Sequence, residues 1–97
     1  MYDVDPSVAQ LRLPPQSIAA EQAVIGGLLL HPGSWRKVEA SLAADDFYRR
    51  DHQLIYRAIR DMVERGRPFD AITLGESFEA QGMSEQVDSG YLIHLAA

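Results

Sequence analysis

Asp45-Asp46-Phe47-Tyr48-Arg49-Arg50-Asp51-His52 is the stretch with the most chemical potential in this 97-residue chain. Carboxylates beside a histidine can hold and pass a proton, so Asp46, Asp51 and His52 define one candidate for acid–base work. A plainer arrangement accounts for the same residues. Asp46 and Asp51 suit helix caps, and Arg49 and Arg50 neutralise them. Phe47 and Tyr48 fit a short turn that plugs an apolar core from below. His52 would fall in the first turn of a helix and hydrogen-bond locally.

Other chemistries lack their residues. No G-x-x-x-x-G-K-[ST] loop is present to cradle a phosphate, and Gly26-Gly27 is followed by leucines inside a helical pattern. There is no H-E-x-x-H, and His31, His52 and His94 are too scattered to read as a zinc site. The chain has no cysteine, so neither disulfide nor thiolate chemistry is available, which fits a reducing cytoplasm. Net charge is −5, and only Lys37 among the nine basic residues is lysine. Arg49, Arg50, Arg57, Arg60, Arg65 and Arg67 alternate with Asp45, Asp46, Asp51, Asp61 and Glu64. This reads as a solvated mixed-charge surface rather than the positive face that displaces counterions from nucleic acid. No run approaches the roughly 20 apolar residues that span a bilayer, and Met-Tyr-Asp-Val-Asp-Pro does not open a signal peptide.

The elements that would position these residues are helical. Residues 1–13 have no clear period and are expected to form a flexible arm, stiffened at its end by Pro14-Pro15. Ser17 suits the N-cap of a first helix, with Glu21 near enough to favour its dipole. That helix carries Ala19, Ala23, Gly26 and Gly27 near one side. Glycine inside a helix costs about 1 kcal/mol relative to alanine. The adjacent pair therefore predicts a second backbone crossing close by, with Gly27 as a contact point. His31-Pro-Gly-Ser34 is a turn. A second helix is expected over about Ser34–Leu42, with Trp35, Val38 and Leu42 inward. A third, capped by Asp51, runs to Arg65 with Leu54, Ile55, Ala58, Ile59, Met62 and Val63 on its apolar face. Gly66 stands where a left-handed C′ residue belongs. Asp70 caps a fourth helix, with Phe69 and Leu74 as a hydrophobic staple, and Gly82 ends it. A last helix starts at Asp88 or Ser89 and carries Leu92 and Leu95. It stops at Ala97 without a cap signal, as in a piece of a longer protein. The expected fold is all-α, a small bundle of about five short helices.

Pro15-Gln-Ser-Ile-Ala-Ala-Glu-Gln-Ala-Val-Ile-Gly-Gly27 resembles the opening of the N-terminal domain of bacterial replicative DNA helicases, the DnaB family. Asp46-Phe-Tyr-Arg-Arg-Asp-His52 with Ile55-Tyr-Arg-Ala-Ile59 resembles the next block. Arg65-Gly-x-Pro-x-Asp70, Thr73-Leu74 and Tyr91-Leu92 follow in the family's order. The chain departs from the pattern at Ala19, where glutamate is common, at His31, where aspartate is usual, and in a shortened Val87-Asp-Ser-Gly90 run.

The resemblance implies a non-catalytic head, residues 14–97, of the helicase's collar domain. It would precede a dimerising helical hairpin and a RecA-like ATPase domain that uses ATP and Mg, neither of which this chain contains. It implies a homohexameric ring working at the replication fork in the bacterial cytoplasm. The implied partners are other protomers, primase and a helicase loader, with no direct nucleic-acid binding by this piece. Tyr91 and Glu21 are the candidate partner contacts. Gly26, Gly27, Phe47, His52 and Gly66 are the candidate structural residues. Tyr91 could equally fill the core beside Leu92 and Leu95. A free-standing helical adaptor without a motor is the rival reading.

Overall fold

The structure, a computed structural model, describes residues 12–97. The expected arm over residues 1–13 therefore lies almost wholly outside the described residues. Among the described residues there are five α-helices and no strand.

Pro14-Pro15 and Ser17 set the first helix. Gln16 takes a positive φ of 58° after Pro15, and the Ser17 N–H closes the turn on the Pro14 carbonyl. Ser17 is extended and its Oγ accepts from the Ala20 N–H, starting α1 (Ile18–Leu30). Ile25, Leu28 and Leu29 face the core. His31-Pro-Gly-Ser34 forms the expected turn, and a 3-10 segment (Pro32–Ser34) leads into α2 (Trp35–Glu39). This helix is shorter than the expected Ser34–Leu42. The Ser41 and Leu42 N–H groups both turn back to the Val38 carbonyl, so the coil tightens after Glu39. Leu42 is still buried, beyond the helix end. Trp35 packs on Tyr56 with ring centroids 5.0 Å apart.

A second 3-10 turn (Ala44–Asp46) follows, with the Asp46 carboxylate accepting from the Ala43 N–H at 2.8 Å. Phe47 is buried as expected, but Tyr48 is 60% exposed. Adjacent residues in extended backbone point to opposite sides, so only one of them can enter the core.

The longest helix is α3 (Arg50–Glu64). Arg49 occupies its N-cap position without a side-chain cap. Asp51, expected there, lies in the first turn and accepts two hydrogen bonds from the Arg49 guanidinium, at 3.0 and 2.6 Å. The buried stripe is His52, Ile55, Tyr56 and Ile59, while Leu54, Ala58, Met62 and Val63 pack at its edges. Tyr56 donates to the Leu42 carbonyl at 2.6 Å, and burial pushes its hydroxyl up to about 12. Gly66 has φ +70°, and the Gly66 and Arg67 N–H groups bond back to Val63 and Met62.

Asp70 and Thr73 exchange hydrogen bonds at the start of α4 (Ala71–Ala80), at 2.8 and 2.9 Å. Phe69 and Leu74 are both buried, as a staple requires. Asp88 accepts from the Tyr91 N–H and starts α5 (Ser89–Leu95).

The two glycines of α1 are not equivalent. A Cβ on Gly26 would collide with the Leu95 carbonyl oxygen at the end of α5. A Cβ on Gly27 would meet nothing within 4 Å. The close crossing exists, but Gly26 makes it and Gly27 does not. Successive helix residues are turned by about 100°, so only one of an adjacent pair can face a given neighbour. Gly75 in α4 serves the same end against Ser89, a second close approach that the helical pattern did not single out.

Candidate functional site

Glu21 sits one turn into α1, and His52 sits in the first turn of α3. Each reaches inward from a helix whose start is fixed by local hydrogen bonds. His52 is 0% and Glu21 1% exposed. His52 Nδ1 lies 2.7 Å from Glu21 Oε1, and His52 Nε2 lies 2.6 Å from Tyr91 Oη on α5. The Tyr48 N–H donates to Glu21 Oε2 at 2.5 Å, and the Arg49 N–H donates to Glu21 Oε1 at 3.3 Å. Gln22 Nε2 donates to Tyr91 Oη at 3.1 Å.

One proton arrangement satisfies all of these. Nδ1–H donates to Glu21, the Tyr91 hydroxyl donates to Nε2, and Gln22 donates to the tyrosine oxygen. No buried side-chain polar atom lacks a partner among the described residues. Burial raises the Glu21 carboxyl, but the His52 hydrogen bond and the Tyr48 and Arg49 N–H groups outweigh it. The net position is below the ordinary carboxylate value. The Arg49 guanidinium lies 5.2 Å from the Tyr91 ring centroid, and its hydrogen bond to Asp51 raises its pKa. The His94 ring stacks with that of Tyr91, with centroids 6.4 Å apart. The result is an inner carboxylate–histidine pair and an outer corner of Gln22, Arg49, Tyr91 and His94.

The structure divides the candidate residues of the Asp45–His52 stretch. Asp46 is occupied at Ala43, Asp51 at Arg49, and exposed Asp45 pairs with Arg57 at 3.0 Å. His52 does not bond locally as expected; it bridges three segments of the fold. Both its ring nitrogens are engaged in the interior, where they tie α3 to α1 and α5. Among the described residues, no three His, Cys, Asp or Glu side chains gather as a metal site would require. Glu21, expected as a partner contact, has its carboxylate turned into the core. Tyr91 is half-buried, with its hydroxyl bound inward and its ring under Arg49. Phe47, His52, Gly26 and Gly66 hold the structural positions described above, and Gly27 lines an open groove. The sequence gives no sign of Gln22, and marks Arg49 only as a neutraliser of nearby carboxylates, which its pair with Asp51 matches. Their partner Tyr91 lies far along the chain, and no local pattern marks the pairing.

Five helices in this order among the described residues, tied by a buried carboxylate–histidine–tyrosine chain, define a small all-α domain. Residues 13–97 match the family model for the DnaB-like helicase N terminal domain, and the chain belongs to that family. It is 40% identical over 90 residues to the replicative DNA helicase DnaB of Buchnera aphidicola from Schizaphis graminum, covering 92% of this chain and 19% of that protein. It is 40% identical over 94 residues to DnaB of Mycobacterium leprae, covering 97% of this chain and 16% of that protein. The chain thus spans less than a fifth of the length of either relative. The crystal structure of the N-terminal domain of DnaB helicase from Mycobacterium tuberculosis superimposes with a TM-score of 0.79 at 40% identity, covering 87% of this chain and 61% of that one.

Proposed function

We propose that this chain is the globular head of a replicative helicase's collar domain and acts by assembly and docking, without catalysis of its own. The observation that carries this reading is the fate of the chain's acid–base groups. Glu21 and His52, the pair best suited to proton transfer, are consumed in the interior, where they brace Tyr91. A half-buried aromatic held by Gln22, His52 and Arg49 is a preorganised contact, costing little further entropy when a partner covers it. The Tyr91 corner is accordingly the surface offered to primase, with Glu21 acting beneath it as a positioning group. Other protomers of a hexameric ring and a helicase loader are the remaining partners. ATP and Mg serve the separate motor domain, and the protein works in the bacterial cytoplasm at the replication fork. No described helix is long and apolar enough to cross a membrane.

Sedimentation tests the assembly half of the proposal. The chain alone is expected to remain monomeric at micromolar concentration, because most of its large apolar side chains are buried in its own core. A version extended through the following helices is expected to dimerise. A tight dimer of the short chain would place the assembly surface in the head and overturn this division of labour.

A further inference from the structure

A groove of about 300 Å³ runs between α1 and α2, away from the Glu21–His52 network. Ala23, Val24, Gly27 and Val38 form its floor and walls, and His31 and Lys37 stand at its edge. Gly27 is the informative residue. Its neighbour Gly26 is required by the Leu95 carbonyl, yet nothing in the fold approaches the position of a Gly27 side chain. Glycine weakens a helix interior, and here no positive φ and no internal crossing calls for it. What its missing side chain does is keep the groove open.

The charge around the groove differs from that of the whole chain. The molecule carries net charge −5, but the groove lining includes the chain's only lysine and no carboxylate. An apolar channel with a cationic edge is complementary to an apolar helix flanked by acidic side chains. We infer that the α1–α2 groove is a second docking site, which seats an acid-flanked amphipathic helix of a partner protein against the open Gly27 face. The inference rests on the reading of the chain as a docking module, but uses a surface other than the Tyr91 corner.

Nuclear magnetic resonance of the ¹⁵N-labelled chain tests it. The probe is a short synthetic helical peptide with leucines spaced i, i+4 and flanking glutamates; its control has lysines in place of the glutamates. Shifts centred on Ala23, Gly27 and Lys37 are expected with the acidic peptide, and binding of the basic control weaker by about tenfold. Gly27→Leu is expected to fold with an undiminished urea midpoint and to lose the groove shifts. Lys37→Glu is expected to reverse the preference between peptides. Equal binding of both peptides, unchanged binding by Gly27→Leu, or absence of groove shifts overturns the site. Shifts confined to Tyr91 and Arg49 would remove the groove while leaving the docking reading intact. Concentration-dependent shifts at the groove without peptide would assign it to a second copy of the chain and overturn the partner helix.

Discussion

Glu21 and His52 lie 31 residues apart in sequence and meet at 2.7 Å in the interior, where the carboxylate also holds the Tyr48 and Arg49 N–H groups. Two segments, α1 and the stretch that leads into α3, are joined by that one side chain. Glu21→Ala strands a buried imidazole N–H and two backbone donors, and is expected to cost about 3–5 kcal/mol. Tyr91→Phe removes only the outer hydroxyl and is expected to cost about 1–2 kcal/mol. Urea midpoints measure both. A Glu21→Ala midpoint equal to wild type would show that the pair contributes nothing to the fold.

Acid should act through the same carboxylate. Its pKa in the folded chain lies below the ordinary 4.5. The unfolded chain therefore binds the proton more readily, and the pair's contribution is fully present above the ordinary value. It is lost as pH falls through that value towards the folded one. Stability measured between pH 6 and pH 3 is expected to decline more steeply in wild type than in Glu21→Gln, in the range of roughly pH 5 and below. Parallel declines would contradict this.

The glycine pair separates packing from propensity. Gly26→Ala forces a Cβ against the Leu95 carbonyl and is expected to destabilise by about 1–3 kcal/mol. Gly27→Ala adds a methyl group to open space and is expected to stabilise by up to about 1 kcal/mol. Opposite movements of the two denaturation midpoints are the expected outcome; two losses would place a close contact at Gly27 as well.

What the sequence made legible follows the range of the interactions. Ser17, Asp70 and Asp88 cap helices through bonds to N–H groups three residues away, and Gly66 and Gly82 end helices by their own positive φ. Those signals are local and were readable. The α3 stripe followed from its period, although Tyr56 was missed because its hydroxyl finds a carbonyl 14 residues upstream. The site was less legible. His52 reaches Tyr91 across 39 residues and Gln22 reaches it across 69, distances at which periodicity carries no information. An aromatic with a polar tip marks Tyr91 as a candidate contact, but only the fold shows that it is half-buried with its hydroxyl bound inward and that Glu21 is buried outright.

The absence of a phosphate loop from the sequence and a net charge of −5 predict no ATP hydrolysis and no duplex binding at physiological salt. Phosphate release and titration with labelled duplex check these. Sub-micromolar, salt-sensitive DNA affinity would contradict the expectation.

Docking through the Tyr91 corner is tested most directly by titrating the labelled chain with the C-terminal domain of a bacterial primase. The account predicts weak but saturable binding, with shifts centred on Gln22, Arg49, Tyr91 and His94, and a loss of affinity of about tenfold or more in Tyr91→Ala, consistent with a buried aromatic anchor. No binding at millimolar primase domain, or binding that is indifferent to Tyr91→Ala, would contradict it.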